Sequence, residues 1–132
     1  MLLRSIRGIS SGNVELAVAS YRNAELLDPT LVNYDHWNEL CRQGTLWGYA
    51  ENVVDACDRA VDLRPTNPYV RDSRGINRAL IGDIAMAIAD FEYYVLETGD
   101  YEGQRREWLQ RLKAREDPSR IFDSATLEAL RY

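Results

Sequence analysis

Asp55, Asp58 and Asp62 recur at the i, i+3, i+7 spacing that sets three carboxylates on one face of a helix. Arg71, Arg74 and Arg78 repeat that spacing on the next helical stretch. Two chemistries fit the pattern. The arginine row would fork onto the aspartate row as an ion-pair ladder between neighbouring helices, because a guanidinium offers parallel donors to a carboxylate. Alternatively, it would stand open as a basic slot for a partner's carboxylate. Desolvated arginine is costly unless paired, which favours the ladder.

Nothing else in the chain assembles into catalytic chemistry. His36 is the only histidine, and it sits beside Trp37 without the convergent partners of an HExxH, GxSxG or CxxC arrangement. Gly12, Gly48 and Gly82 punctuate helices rather than forming a phosphate loop. No metal or cofactor site is therefore expected, and the chain reads as a non-enzyme. Cys41 and Cys57 have no metal-ligand spacing and are too few for a disulfide framework, so free buried thiols in a reducing, cytoplasmic compartment are expected.

Composition narrows the partners. At 132 residues the chain can bury one modest core. A net charge of −5 and a pI of 4.9 argue against nucleic acid, which needs a concentrated basic face. Every basic residue except Lys113 is arginine, which favours forked ion pairs. Asp83 and Asp90 interrupt the richest apolar run, so no membrane span is expected. The opening "MLLRSIRGISSGN" has the composition of a transit peptide but reads better as part of a helix.

The elements that must position these residues emerge from self-comparison. A shift of 34 carries Cys41 onto Gly75, Gly48 onto Gly82, Val53 onto Ala87 and Cys57 onto Phe91. A shift of 36 carries Val53, Cys57, Ala60 and Pro65 back onto Ala17, Tyr21, Ala24 and Pro29. The middle unit runs Trp37-x2-Leu40-Cys41-x2-Gly44, then Val53-x3-Cys57, with Ala60 and Pro65 closing it. The third keeps Gly75, Gly82 and Ala87-x3-Phe91. Over about three quarters of its length the chain thus resembles the tetratricopeptide repeat family, whose signature is a period of 34 with small and aromatic residues in this order. It departs from that pattern at Arg71, Arg74 and Arg78, which stand where packing residues are usual, and at Tyr94, which replaces an alanine. The "RDSRGINRALIGD" unit followed by a Trp-bearing charged helix is also similar to the C-terminal segment of certain bacterial multidomain signalling proteins.

The spacing itself supports helical hairpins. Ile84, Ala87, Ile88, Phe91 and Val95 form one apolar stripe, with Gly75 small where a neighbouring backbone must approach. Gly82 should leave one helix at positive φ, and Asp83 should cap the next. Helices are expected near residues 2–9, 13–27, 34–44, 48–63, 68–81 and 83–98, in repeats of about 1–31, 34–67 and 68–100. A polar capping helix is expected at about 102–116, stopped by Asp117-Pro118, and a short terminal helix at about 123–131. The expected fold is all-α: a short right-handed superhelix of about three hairpins, with the first repeat incomplete.

The resemblance implies a concave surface built from each hairpin's first helix, which binds a protein or peptide. By position it would comprise Asp35, Asn38, Glu39 and Arg42 from the middle unit and Tyr69, Asp72, Ser73 and Ile76 from the third. Glu39, Tyr69 and Ser73 stand where carboxylate-clamping relatives place asparagine and basic residues, which argues against such a clamp. The incomplete first repeat implies a second role, in which it stacks on another domain or on another copy as a homodimer.

Overall fold

The computed structural model describes residues 11–131, and the helix expected at 2–9 lies outside them. Among the described residues all regular structure is helical: α1 (Ser11–Leu27), α2 (Tyr34–Leu46), α3 (Val54–Leu63), α4 (Pro68–Ile81), α5 (Ile84–Thr98), α6 (Gln104–Lys113), α7 (Pro118–Ile121) and α8 (Ser124–Arg131). Short 3-10 turns at Pro29–Leu31 and Ala50–Val53 precede α2 and α3. None of these helices is long and apolar enough to cross a membrane.

Side chains that satisfy the free N–H groups of a first turn set the helix starts. Asn33 accepts from the backbone of Asp35 and His36, and His36 Nδ1 in return accepts from the Asn33 N–H. The lone histidine is thus half of a capping box. Asn67 and Pro68 open α4, Asp83 caps α5, and Asp117 with Pro118 opens α7. Gly82 ends α4 at φ 93°, as its position predicts, and Asp83 follows as the cap. Helix α7 lies outside the expected elements, and two boundaries differ from expectation by more than two residues. The helix expected at 48–63 begins only at Val54, because Gly48 at φ 95° turns the chain into the 3-10 segment first. α6 ends at Lys113 rather than at Glu116, where Arg115 at φ 63° lets the Glu116 N–H return to the Arg111 carbonyl.

α2 pairs with α3 and α4 with α5 as hairpins, and α4 also packs on α2 and α3. One core cluster gathers Val14, Trp37, Leu40, Val53 and Cys57, and a second gathers Leu46, Ile76, Phe91, Trp108 and Phe122. The hairpin seams explain the 34-residue shift in physical terms. A β-carbon on Gly75 would stand 2.8 Å from Phe91 Cε1, so only glycine lets the ring lie there. At the equivalent crossing of α2 and α3, Cys41 and Cys57 form a disulfide. This corrects the expectation of free thiols and removes the argument for a reducing compartment. The two cysteines lie in the positions whose later counterparts touch across the hairpin, so both face one seam.

Candidate functional site

The residues expected to line an open groove lie on the adjacent helices α2 and α4, and they divide into two halves. Asp35, Glu39 and Tyr69 are exposed, while Asn38 and Arg42 are half-buried. Asp72, Ser73 and Ile76 are buried, at 3%, 1% and 1% exposure. This corrects their assignment to an open surface, and later parts of the chain return to cover Asp72 and Ile76.

The burials of Asp72 and Ile76 each have a specific cause. Arg105 on α6 grips Asp72 with both ends of its guanidinium, Nε to Oδ1 at 2.9 Å and a terminal nitrogen to Oδ2 at 2.8 Å. Arg42 approaches the same carboxylate at 3.4 Å. Burial works to lower the Arg105 pKa, but the hydrogen bonds and charge of Asp72 outweigh it and hold the guanidinium above its ordinary value. The Arg105 guanidinium also lies over the rings of Trp108 and Tyr94, and Tyr94 meets Tyr69 edge-on at 6.0 Å. Burial is the main reason the Tyr94 phenol is raised above its usual pKa. Ser73 turns its hydroxyl back to the Tyr69 carbonyl at 3.2 Å.

Ile76 is covered from the C-terminal side. Ile121 and Phe122 are buried in its cluster, and Leu127 and Leu130 of α8 pack half-buried against it. α8 is then tied to α2 by Arg131, whose Nε donates to the Leu46 carbonyl at 2.9 Å and whose guanidinium lies 4.0 Å from the Trp47 ring. That carbonyl is in the last turn of α2, where it has no partner within the helix, so a cation there is doubly favoured. Nearer the start of α2, Asn38 Oδ1 is buried without a hydrogen-bond partner.

The charged rows pair differently from the simple ladder. Arg78 reaches Asp58, and Arg74 lies 3.9 Å from the same carboxylate. The second anchor is Asp90 on α5, fully buried, which receives Arg71 at 2.7 Å and Arg74 through two bonds of 2.8 Å. Hydrogen bonding to Asp90 is the largest influence raising the Arg74 pKa, against the effect of burial. Asp55 pairs instead with Arg22 of α1 at 2.8 Å, and Asp62 acts on Arg74 only as a nearby charge. The three arginines therefore share two carboxylates, Asp58 and Asp90. Asp90 was legible as an anchor: with Ala87 and Phe91 it shares the buried stripe of α5, where a carboxylate requires a cation. Arg105 and Arg131 carried no such local signal.

Among the described residues, no three histidine, cysteine, aspartate or glutamate side chains are grouped to hold a metal ion. On α1, Leu16, Leu26 and Leu27 are exposed, the last two above 80%, and Leu31 lies exposed just beyond. No family model matches the chain, and no curated protein or solved structure is detectably similar to it.

Proposed function

We propose that this protein is a non-catalytic interaction module: a tetratricopeptide-like right-handed superhelix whose concave groove, formed by α2 and α4, receives a segment of a partner protein. The observation that carries this reading is that the α2 and α4 face already accepts a helix, α8, through an apolar cluster, a helix-end carbonyl and an aromatic ring. The face continues past α8 into Asp35, Glu39 and Tyr69, which are open to a partner. Binding would order the partner on a rigid surface, so that most of the entropy loss falls on the ligand. Cytoplasmic placement is not part of the proposal, since a Cys41–Cys57 bond persists in oxidising compartments.

The test is selection of helix-forming peptides from a displayed library against the full chain, with counter-selection against Glu39→Arg/Tyr69→Ala. Peptides that bind the parent and lose the double variant at unchanged melting temperature are expected. Peptides indifferent to both substitutions would remove the groove from the reading.

The exposed leucines of α1 favour a second reading, a structural role in which this face stacks on another domain or another copy. Sedimentation over a wide concentration range checks it. A dimer that Leu26→Arg/Leu27→Arg dissociates would support stacking, and a monomer throughout would leave the adaptor reading.

A further inference from the structure

The C-terminal segment is held very unevenly along its length. α6 buries Trp108, Leu109 and Leu112, and the chain after it buries Ile121 and Phe122. α8, in contrast, has no fully buried residue: Leu127, Leu130 and Arg131 are half-buried on its inner side, while Ala125, Glu128 and Ala129 face solvent. The firm anchorage ends at Phe122. Asp123 then starts a new helix with its own cap, its carboxylate accepting from the Thr126 N–H at 2.9 Å. An eight-residue helix with this little burial belongs to the least stable part of a fold.

The seat it occupies has a definite chemistry. Two aliphatic side chains one turn apart meet the cluster containing Leu46 and Ile76, and the next residue, an arginine, spans the Leu46 carbonyl and the Trp47 ring. None of these contacts depends on the linkage to the rest of the chain.

We propose that α8 is an intramolecular stand-in for the partner. The partner is accordingly an amphipathic helix presenting two leucine-like side chains at i and i+3 and an arginine at i+4, and it displaces α8 on binding. This rests on the groove reading above and adds the ligand's chemistry and its regulation. A tethered occupant competes at high effective concentration, so the free partner's apparent affinity is reduced by the fraction of chains in which the seat is open.

The probe is a labelled peptide of residues 123–132, stapled across the solvent-facing Ala125 and Ala129 to hold it helical. It is titrated into the full chain and into the full-length variant Leu127→Ala/Arg131→Ala. Binding to the variant at least about tenfold tighter than to the parent is expected, and the same peptide with Arg131→Ala should bind neither. Equal affinity for parent and variant would overturn displacement by showing that α8 and the peptide do not share a seat. No binding to a folded variant would overturn the proposed ligand chemistry, while the groove reading would still be decided by the Glu39 and Tyr69 selection, which does not involve α8. Native-state hydrogen exchange on the parent keeps the proposal testable should the variant misfold. α8 amides exchanging at least about a hundredfold faster than those of α5 are expected, and equal protection would overturn the proposal.

Discussion

Cys41 on α2 and Cys57 on α3 are joined by a disulfide with their Cα atoms 4.8 Å apart, and both residues are fully buried. One period later the same two positions hold Gly75 and Phe91, a ring seated on a bare backbone. The hairpin seam is therefore closed covalently in one unit and by packing in the next. A bridge across 16 residues should contribute about 3 kcal/mol, chiefly by restricting the unfolded chain. Cys41→Ala/Cys57→Ala should lose about that much in urea denaturation. Cys41→Gly/Cys57→Phe should be more stable than the double alanine form, since it copies the later seam. A less stable glycine–phenylalanine form would show that the positions are not physically equivalent.

This seam also shows what sequence reasoning reaches. The shift of 34 located the crossing, and Gly82 with Asp83 located the turn, because each feature is local. Two cysteines in the crossing positions are by themselves only two small apolar residues. Their bond depends on the direction of two β-carbons, which spacing does not encode. The groove assignment failed for a similar reason at Asp72 and Ile76. Helical phase places these two on one face of α4 but carries no information about which later segment returns to that face. The contact of Arg131 with Leu46 spans 85 residues.

Asp72 answers two arginines from two different helices, and only one of them grips it bidentately. Asp72→Ala leaves Arg105 and Arg42 without their carboxylate and should cost about 3 kcal/mol or more, the usual penalty for breaking a mostly buried pair. Arg105→Ala should cost less, because Arg42 remains within 3.4 Å of the carboxylate. Urea denaturation of both single variants and the double should show strong non-additivity. Additive losses would mean that the pair is not energetically coupled.

Gly75→Ala tests the close approach in the opposite direction. The added carbon meets Phe91, whose ring also contacts Trp108 and Phe122 with centroids 5.5 and 6.4 Å away and so has little room to move. Overpacking should destabilise by about 1–3 kcal/mol, outweighing the ~1 kcal/mol that alanine gains over glycine in helix propensity. Adding Phe91→Leu to Gly75→Ala should recover part of the loss in thermal denaturation. A neutral Gly75→Ala would show that the seam can open at little cost.

Acid should loosen the C-terminal segment before the hairpins. Asp117 and Asp123 cap α7 and α8, and both carboxyls are lowered below 3.8, first by the backbone N–H of Ser119 and Thr126 respectively and then by the side-chain hydroxyls of the same residues. The nearby charges of Arg120 and Arg111 act in the same direction. A depressed folded-state pKa means that the ionised form is the one the fold holds. The stabilisation is therefore complete above 3.8 and is lost as the pH falls through the lower folded-state values. Hydrogen exchange followed from neutral pH downward should show α8 protection falling below about pH 4 while α4 and α5 remain protected. Asp123→Ala should produce that loosening at neutral pH, and Asp123→Ser, which keeps a capping oxygen without a carboxyl, should keep α8 protected into the acid range. Acid loosening that persists in Asp117→Ser/Asp123→Ser would assign the transition to other carboxylates.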